Sequence, residues 1–482
     1  MDNECCVDVF ISFRHDNSLG KENRSQLALI IIAQPNFNGM SKISNKLLLP
    51  ANQIFMKKIL LCSLFVLPLL LAAQKPVLSE APPESAGMSS DRLRNLDSLL
   101  LRYVNNKTLP GVAAIVVRDG KIVYHKAFGM RDIEARDPLG RDDIFRIASM
   151  TKAITSTAAL MLFEEGRFAL DDPVSKYLPE FKNPKVLVAY DRGKDSISTE
   201  PAKSEITIRQ LMNHTSGIDY GVISSSADMK MIFEKAGIYA LASTDDVTLK
   251  ENIRRLAALP LRHHPGEKWT YGMNTDVLGY LVETISGMPL ADFFRIRIFE
   301  PLGMKDTYFY LPDSKKDRLV PVYTEAGSPK KLQKLTEQEG LDMDYPVKGA
   351  KKLYCGGAGL SSTAMDYAIF LQMLLNNGEY NGKHLLGRKT IELMTANQIG
   401  DLKMWNPTDR FSLAFSITTE GNVWREPGSV GKFAWGGYFS THYFADPKER
   451  LSVVLLKQLQ GDNRGWEIWP LVEAVVYGAI AD

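Results

Sequence analysis

The stretch from residue 147 to residue 166 most constrains the fold of this chain, because it predicts a helix that is apolar on almost every side. Its sequence, IASMTKAITSTAALMLFEEG, ends in a glycine, which is a natural C-terminal cap for a helix. A helix that is hydrophobic all round lies in the middle of a protein rather than on its surface. Other parts of the chain must therefore surround it.

Strand-like sequences occur far apart along the chain, on both sides of this helix. Residues 112–128 predict a β-hairpin, because two β-rich runs flank Asp119-Gly120, and this pair tolerates the positive φ angles of a tight turn. The leucine spacing just upstream is helical. The other segments typical of strands are 411–418, 433–444 and 451–456, and the segments typical of flanking helices are 89–105 and 466–480.

These patterns predict an α/β fold of the α+β type, with one antiparallel sheet built from both chain ends. Helices would flank the sheet, and a mostly helical subdomain would be inserted into it. The α/β part would take residues of about 80–150 and 386–482, and the helical part residues of about 150–385.

The beginning of the chain consists of two unlike pieces. Residues 56–73 start with Met56-Lys57-Lys58, continue with an apolar run and end with Ala72-Ala73, which are the three parts of a secretory signal peptide. The run is too short to span a hydrocarbon core of roughly 30 Å, and Pro68 argues against the alternative of a buried core helix. We expect cleavage near Gln74 and export to the periplasm or medium of a bacterium. Residues 1–55 are interpreted as an overlong gene model, with a genuine N-terminal extension as the alternative.

The composition excludes several classes of function. Lys and Arg number 58 against 56 Asp and Glu, a formal net charge of +2, and no long basic run is present, so we expect no nucleic-acid partner. Four cysteines and seven scattered histidines lack the spacing of a disulfide framework or a zinc site, and no metal or organic cofactor is expected. After cleavage near Gln74, Cys355 would be the remaining cysteine, and no stable membrane span would remain.

Ser149 and Lys152 form a Ser-x-x-Lys sequence at the start of the apolar helix, where this spacing puts both side chains on one face. Free backbone N–H groups and the dipole at a helix N-terminus stabilise a developing oxyanion. A lysine in an apolar helix is costly to keep charged, so it can accept a proton from a serine hydroxyl. The alternative is an N-cap serine with a lysine whose ammonium reaches solvent. The same spacing at Ser18 and Ser328 has nothing apolar around it.

The Ser149 segment resembles the Ser-x-x-Lys motif of the penicillin-binding protein and serine β-lactamase superfamily. The closest branch of this superfamily contains class C β-lactamases, secreted D-alanyl-D-alanine carboxypeptidases and family VIII carboxylesterases. Further sequence motifs of this branch occur here in the same order. They are LDDPVSKYLP at 170–179, IRQLMNHTSG at 208–217, GLSST at 359–363, Asp366 and Asp446-Pro447. The resemblance runs from about residue 84 onward and implies a β-lactamase-related catalytic domain at about 80–482.

The resemblance also implies a role for Tyr271, which lies in the sequence WTYGMNTDVLG ahead of an apolar helix. It resembles the catalytic tyrosine of the family. A phenol is a poor base unless a cation such as Lys152 stabilises its phenolate. The alternative is a tyrosine packed at an interface.

A third motif is expected on the strand AWGGY at 434–438, in place of Lys-Thr-Gly or His-x-Gly. Two adjacent glycines, Gly436 and Gly437, indicate close approach by a ligand or another backbone. By resemblance, the backbone N–H groups of Ser149 and Tyr438 would form an oxyanion hole, and Trp435 with the two glycines would contact substrate.

Two departures from the family pattern bear on the substrate. Trp435 stands where β-lactamases and peptidases place a cation, and a charged hydrogen bond to a substrate carboxylate is worth roughly 1.5–3 kcal/mol. Met273 takes the place of a substrate-binding asparagine, with Asn274 one residue late, and both are candidate substrate contacts. Trp-Gly-Gly is also the form seen in family VIII esterases.

We therefore predict a serine hydrolase that acts on small esters through an acyl-enzyme. A β-lactamase or D-alanyl-D-alanine carboxypeptidase, with a β-lactam or peptide-like substrate, is the alternative. An alternative of another class is a non-catalytic penicillin-binding sensor on the same fold. The sequence leaves the oligomeric state open.

Three other groups of residues are weaker candidates for a site. Adjacent His263 and His264 rarely chelate one ion and are interpreted as surface residues. His214 with Ser216 lacks a Gly-x-Ser-x-Gly elbow. Cys355 is interpreted as a small buried residue.

Overall fold

The structure, a computed structural model, describes residues 77–221, 223–328, 330–338, 341–461 and 464–482. The interpretations of residues 1–55 and 56–73 lie outside these described residues. Within them, no helix combines the length and the apolar character that crossing a membrane requires.

One large sheet dominates the described part of the chain. Its strands run in the order β1-β3-β2-β19-β18-β17-β16-β15, and β4 pairs with β3. The strands, numbered in chain order, are β1 Ser79–Glu80, β2 Gly111–Arg118, β3 Lys121–Asp132, β4 Asp137–Pro138, β5 Phe145–Arg146, β6 Lys185–Asp191, β7 Ser196–Pro201, β8 Tyr323–Ala326, β9 Lys331–Lys334, β10 Glu337–Gln338, β11 Leu341–Asp342, β12 Ser361–Ser362, β13 Glu379–Tyr380, β14 Lys383–His384, β15 Arg410–Phe411, β16 Ser416–Ile417, β17 Phe433–Gly437, β18 Thr441–Asp446, β19 Leu451–Leu456 and β20 Leu459–Gln460.

Most helices lie in the sequence between the N-terminal and C-terminal strands of the sheet. The α-helices are α1 Ser90–Asn105, α2 Thr151–Glu164, α3 Ile208–Met212, α4 Ala227–Lys235, α5 Leu249–Ala257, α6 Asn274–Ser286, α7 Leu290–Phe294, α8 Glu300–Leu302, α9 Ala364–Leu375, α10 Arg388–Thr395 and α11 Arg464–Gly478. Shorter helical turns are Pro83–Ala86, Ala148–Met150, Val174–Lys176, Pro179–Phe181, Asp313–Arg318 and the π-helical Arg295–Phe299.

The predicted sheet from both chain ends is confirmed. Strand β19 lies between β2 and β18 and is antiparallel to both. The predicted hairpin joins β2 to β3, and its turn residues Asp119 and Gly120 have φ angles of 54° and 72°, as a tight two-residue turn requires.

Two strand predictions need correction. The stretch 433–444 is not one strand, because the chain turns after Gly437, with Ser440 at a φ of 63°, and returns as β18. The stretch 411–418 forms only the short strands β15 and β16. The predominantly helical region also contains the hairpin of β6 and β7 and the small strands β8 to β11.

The apolar helix α2 occupies the interior, as predicted, and is followed by Gly166 at a φ of 70°. Its residues from Thr151 to Leu162 are buried. Helix α2 packs against α6, and the Thr155 hydroxyl donates a 2.6 Å hydrogen bond to the carbonyl of Gly356. The interior thus holds α2 in a fixed position against α6 and the Gly356 segment.

Candidate active site

Ser149 lies in the tight helical turn Ala148–Met150 that leads into α2, with its side chain partly exposed. Ala148 has a φ of 43°, an uncommon conformation for a residue with a Cβ atom. The turn is held by a 3.0 Å hydrogen bond from Ile147 N–H to the carbonyl of Leu360. The expected position of Ser149 at the start of a buried helix is thus what the structure shows. Strain of this kind is typical of residues that a fold holds in place at a functional site.

Lys152 is buried, with 2% of its surface exposed, one turn into the same helix. Its Nζ donates to the carbonyl of Gly357 at 2.7 Å, to Ser149 Oγ at 3.3 Å and to the Tyr220 hydroxyl at 3.4 Å. The alternative in which the ammonium reaches solvent is therefore wrong. The group instead lies within hydrogen-bonding distance of the serine hydroxyl, where it can exchange a proton with it.

Tyr271 lies on the loop directly before α6, partly exposed. Its ring centroid is 4.8 Å from Lys152 Nζ, so the ammonium lies against the aromatic face. The Tyr271 hydroxyl accepts a 3.3 Å hydrogen bond from the indole N–H of Trp435. Lys152 and Trp435 thus both contact Tyr271, one at the ring and one at the hydroxyl.

Tyr220 is a second tyrosine at the site that the sequence analysis did not single out. It is buried, and its ring stacks on that of Tyr271 with centroids 5.5 Å apart. Its hydroxyl accepts a 3.4 Å hydrogen bond from Lys152 Nζ and donates one of 3.4 Å to the carbonyl of Ala240. Burial raises the pKa of Tyr220 well above its usual range, and the charge of Asp276 adds to the increase. Tyr220 is therefore a neutral hydrogen-bonding group rather than a base. It follows the IRQLMNHTSG phrase closely, and only that position could have pointed to it.

Asp276 is a fully buried carboxylate in the first turn of α6. Its Oδ1 accepts a 3.0 Å hydrogen bond from the N–H of Gly357, whose carbonyl accepts from Lys152, while its Oδ2 has no hydrogen-bond partner among the described residues. Burial raises the pKa of Asp276 to about 6, and the positive charge of Lys152 opposes the increase. The backbone of one residue, Gly357, thus links a buried carboxylate to a buried ammonium.

Strand β17 packs directly against the segment that carries Ser149. A Cβ atom on Gly437 would lie 2.3 Å from the carbonyl oxygen of Ile147, so only glycine allows this approach. The predicted close approach of another backbone is therefore confirmed at Gly437, while Gly436 lies over the Thr441 carbonyl and the ring of His442.

Ser149 and Tyr438 line the same cavity, of about 160 Å³. Apolar side chains form much of its wall, including Ile238, Leu241 and Met343. The hydroxyl of Tyr438 accepts hydrogen bonds from side-chain amides of two glutamines, at 3.0 and 3.1 Å, and these bonds fix the turn after β17. This cavity can hold an apolar acyl group beside the serine.

Met273 and Asn274 lie behind the Tyr271 loop, and both are completely buried. Asn274 accepts a hydrogen bond from Ser216, and its amide nitrogen lies 3.0 Å from His214 Nδ1. Neither side chain lines the cavity beside Ser149. Their predicted contact with substrate stays a prediction, and their complete burial does not support it. Asn274 instead links the Tyr271 loop to the His214 segment.

Trp435 is surrounded by aromatic rings. Its indole lies 5.3 Å from the ring of Tyr271, 5.6 Å from that of Trp405 and 5.2 Å from that of Phe411, between centroids. This side of the site is therefore apolar, as the Trp-Gly-Gly sequence predicts.

The remaining histidine and cysteine candidates contact neighbouring residues in ways typical of structural roles. The interpretation of His263 as a surface residue is wrong, because it is buried and bonds to Thr270 Oγ1 at 2.9 Å; His264 faces Glu200 at 3.1 Å. The described residues contain no cluster of His, Cys, Asp and Glu suited to a metal ion. Cys355 is buried, as predicted, and burial raises the pKa of its thiol well above the usual range. A thiol of this kind is a poor nucleophile.

Comparison with known proteins identifies relatives of the whole domain. The β-lactamase family model matches residues 96–477. Protein Rv1367c of Mycobacterium tuberculosis is 34% identical over 365 residues, which cover 73% of this chain and 86% of that protein. Esterase EstB of Burkholderia gladioli is 30% identical over 375 residues, 75% of this chain and 89% of EstB. The structure of EstCE1, a hydrolase with promiscuous acyltransferase activity, superimposes with a TM-score of 0.69 at 26% identity, over 80% of this chain and 99% of EstCE1.

Proposed function

The chain belongs to the β-lactamase family of serine hydrolases, and from this premise we propose that it is a carboxylesterase with Ser149 as its nucleophile. Relatives that are named esterases support the choice of ester substrates.

In the proposed reaction, Ser149 Oγ bonds to the ester carbonyl carbon, and the carbon–oxygen bond to the alcohol then breaks. The serine proton passes through Lys152 and Tyr271 to the departing alcohol oxygen. The backbone N–H groups of Ser149 and Tyr438 hold the oxyanion. Water then attacks the acyl-enzyme, releases the acid and restores the serine hydroxyl. No step calls for a metal or an organic cofactor.

The observation that carries the ester assignment is the environment of Trp435. A carboxylate-binding enzyme of this family would present a cation at this position, whereas here an indole donates its N–H to Tyr271 and packs among aromatic rings. An anionic β-lactam or a peptide terminus would therefore lose a charged hydrogen bond of roughly 1.5–3 kcal/mol, while a neutral ester loses nothing.

A substrate panel tests the proposal. Purified protein is assayed with p-nitrophenyl esters, a chromogenic cephalosporin and a D-Ala-D-Ala peptide, with Ser149→Ala as the matched control. We expect the highest kcat/KM on the esters, an acyl adduct on intact protein by mass spectrometry, and loss of both in the control. Faster turnover of the cephalosporin or the peptide would contradict the ester assignment, and an adduct that forms but never turns over would identify a sensor.

Export is a separate proposal, supported by the sequence pattern of residues 56–73. N-terminal sequencing of the protein recovered from the cell envelope should begin near Gln74. Cytoplasmic protein that retains residues 1–55 would contradict both export and the interpretation of those residues.

A further inference from the structure

Trp405 is a large aromatic side chain that is 66% exposed and yet held in a fixed orientation. Its ring stacks on that of Trp435 with an interplanar angle of 18°, and it meets the ring of Trp269 edge-on with centroids 4.9 Å apart. Trp424, which is 75% exposed, makes no comparable ring contact within the described residues. The exposed face of Trp405 is thus preorganised by a cluster that also includes Tyr271.

A second cavity, of about 330 Å³, lies beside this cluster. Trp405, Met404, Trp269 and Tyr271 form part of its wall, and Ile223 lines both this cavity and the one that contains Ser149. The two cavities therefore adjoin, with the candidate nucleophile on one side and the candidate proton donor on the other.

The chemistry of the proposed reaction assigns a substrate half to each cavity. The carbonyl must lie at Ser149 and Tyr438, so the acyl chain occupies the cavity that these two residues line. The alcohol oxygen must reach Tyr271 to receive its proton, so the rest of the alcohol extends into the cavity beside Trp405.

Three charged residues line this second cavity: Arg262 and Asp219 pair with each other, and Lys268 is exposed to solvent. Arg262 donates to Asp219 at 3.2 Å and to Ser225 at 2.7 Å, so its guanidinium is already engaged. A flat, neutral ring matches an exposed indole held parallel to a second indole, because offset stacking stabilises aromatic pairs beyond the area that they bury.

The geometry points to an alcohol-binding subsite for esters whose alcohol carries an aromatic ring, with Trp405 as the stacking surface. This inference rests on the proposed function, since it names the alcohol half of the substrate at the same site.

Two esters of one acid test it: benzyl butyrate and cyclohexylmethyl butyrate share the acyl group and present a flat or a puckered ring on a primary alcohol. We expect the wild-type protein to favour the benzyl ester. In Trp405→Ala the ratio of kcat/KM values, benzyl over cyclohexylmethyl, should fall by roughly three- to tenfold, the size of an aromatic pair interaction, mainly through KM. Trp405→Leu keeps an apolar surface without the ring and should lower the ratio in the same way. Trp424→Ala is the matched control and should leave the ratio unchanged.

The outcomes separate the two proposals. Two results overturn the subsite and leave the esterase assignment standing, provided that both esters are hydrolysed. One is a benzyl over cyclohexylmethyl ratio of kcat/KM values that is the same in wild type and Trp405→Ala. The other is a fall of that ratio in Trp424→Ala equal to the fall in Trp405→Ala. Absence of both hydrolysis and an acyl adduct on Ser149 with either ester overturns the esterase assignment and the subsite with it.

Discussion

Replacing Asp276 by asparagine should change how the stability of this protein depends on pH. The carboxylate is completely buried, and its Oδ2 has no hydrogen-bond partner among the described residues. Asparagine keeps an oxygen to accept the Gly357 N–H and removes the titrating charge. The substitution therefore isolates the contribution of one buried ionisable group.

The magnitude follows from the pKa. Burial raises the pKa of Asp276 from 3.8 to about 6. Because the folded pKa lies above the unfolded one, the associated stability is fully present below the unfolded pKa and is lost as the pH rises through the folded pKa. About two pKa units correspond to about 3 kcal/mol. The free energy of unfolding of Asp276→Asn, relative to wild type, should increase by about that amount between about pH 3.5 and pH 7.5.

Urea unfolding followed by circular dichroism at several pH values measures this difference. Asp366→Asn is the matched control, because burial also raises the pKa of Asp366 to about 6, yet its partners are Asp306 N–H and Thr307 rather than the Lys152 group. Both variants should show the stability change. Only Asp276→Asn should also change kcat/KM on an ester, because Asp276 accepts from the N–H of Gly357, whose carbonyl accepts from Lys152.

A difference between Asp276→Asn and wild type that stays constant across the pH range would refute the reasoning. An equal change of kcat/KM in Asp366→Asn would refute the specific link between Asp276 and Lys152.

Four further variants probe the site. Trp435→Lys should raise kcat/KM on carboxylate-bearing substrates by about 30-fold, through a new charged contact of about 2 kcal/mol, and should change kcat/KM on neutral esters much less. Equal changes of kcat/KM in the two substrate classes would contradict the proposed role of the indole. Tyr220→Phe should lower kcat/KM by about tenfold through loss of one neutral hydrogen bond. Tyr271→Phe should lower kcat/KM by 100-fold or more, roughly the size of general acid–base catalysis. Steady-state kinetics with one ester would show the larger loss in Tyr220→Phe if Tyr220 were the base. Gly437→Ala forces a Cβ atom against the Ile147 carbonyl and should reduce kcat more than it raises KM. An unchanged kcat in this variant would contradict the expectation.

The part of the site that lies within one helical turn was predictable from sequence. Ser149 and Lys152 share a face because of their spacing, and the apolar surroundings of α2 predict the burial of Lys152. The resemblance to a known family then located Tyr271 and β17, because those motifs are contiguous in the sequence.

The groups that surround Lys152 from other elements could not be predicted in this way. Tyr220, Asp276 and Gly357 come together only because α6 packs on α2 and the Gly357 segment lies between them. No periodicity records such a long-range contact. His263 shows the same limit, since a polar pair in a loop reads as exposed until the fold buries one member.

The position of β19 between β2 and β18 has a consequence for the order in which the molecule can assemble. Val116 of β2 pairs with Val453 of β19. The edge of β2 in the N-terminal hairpin therefore stays unpaired until nearly the whole chain has been synthesised. Contacts this distant in sequence make folding slow. Ser149 likewise meets β17 and Tyr438 only when this late segment docks. A growing polypeptide therefore carries the proposed nucleophile for most of its synthesis without the strand proposed to hold the oxyanion, and the candidate site is completed in one late step.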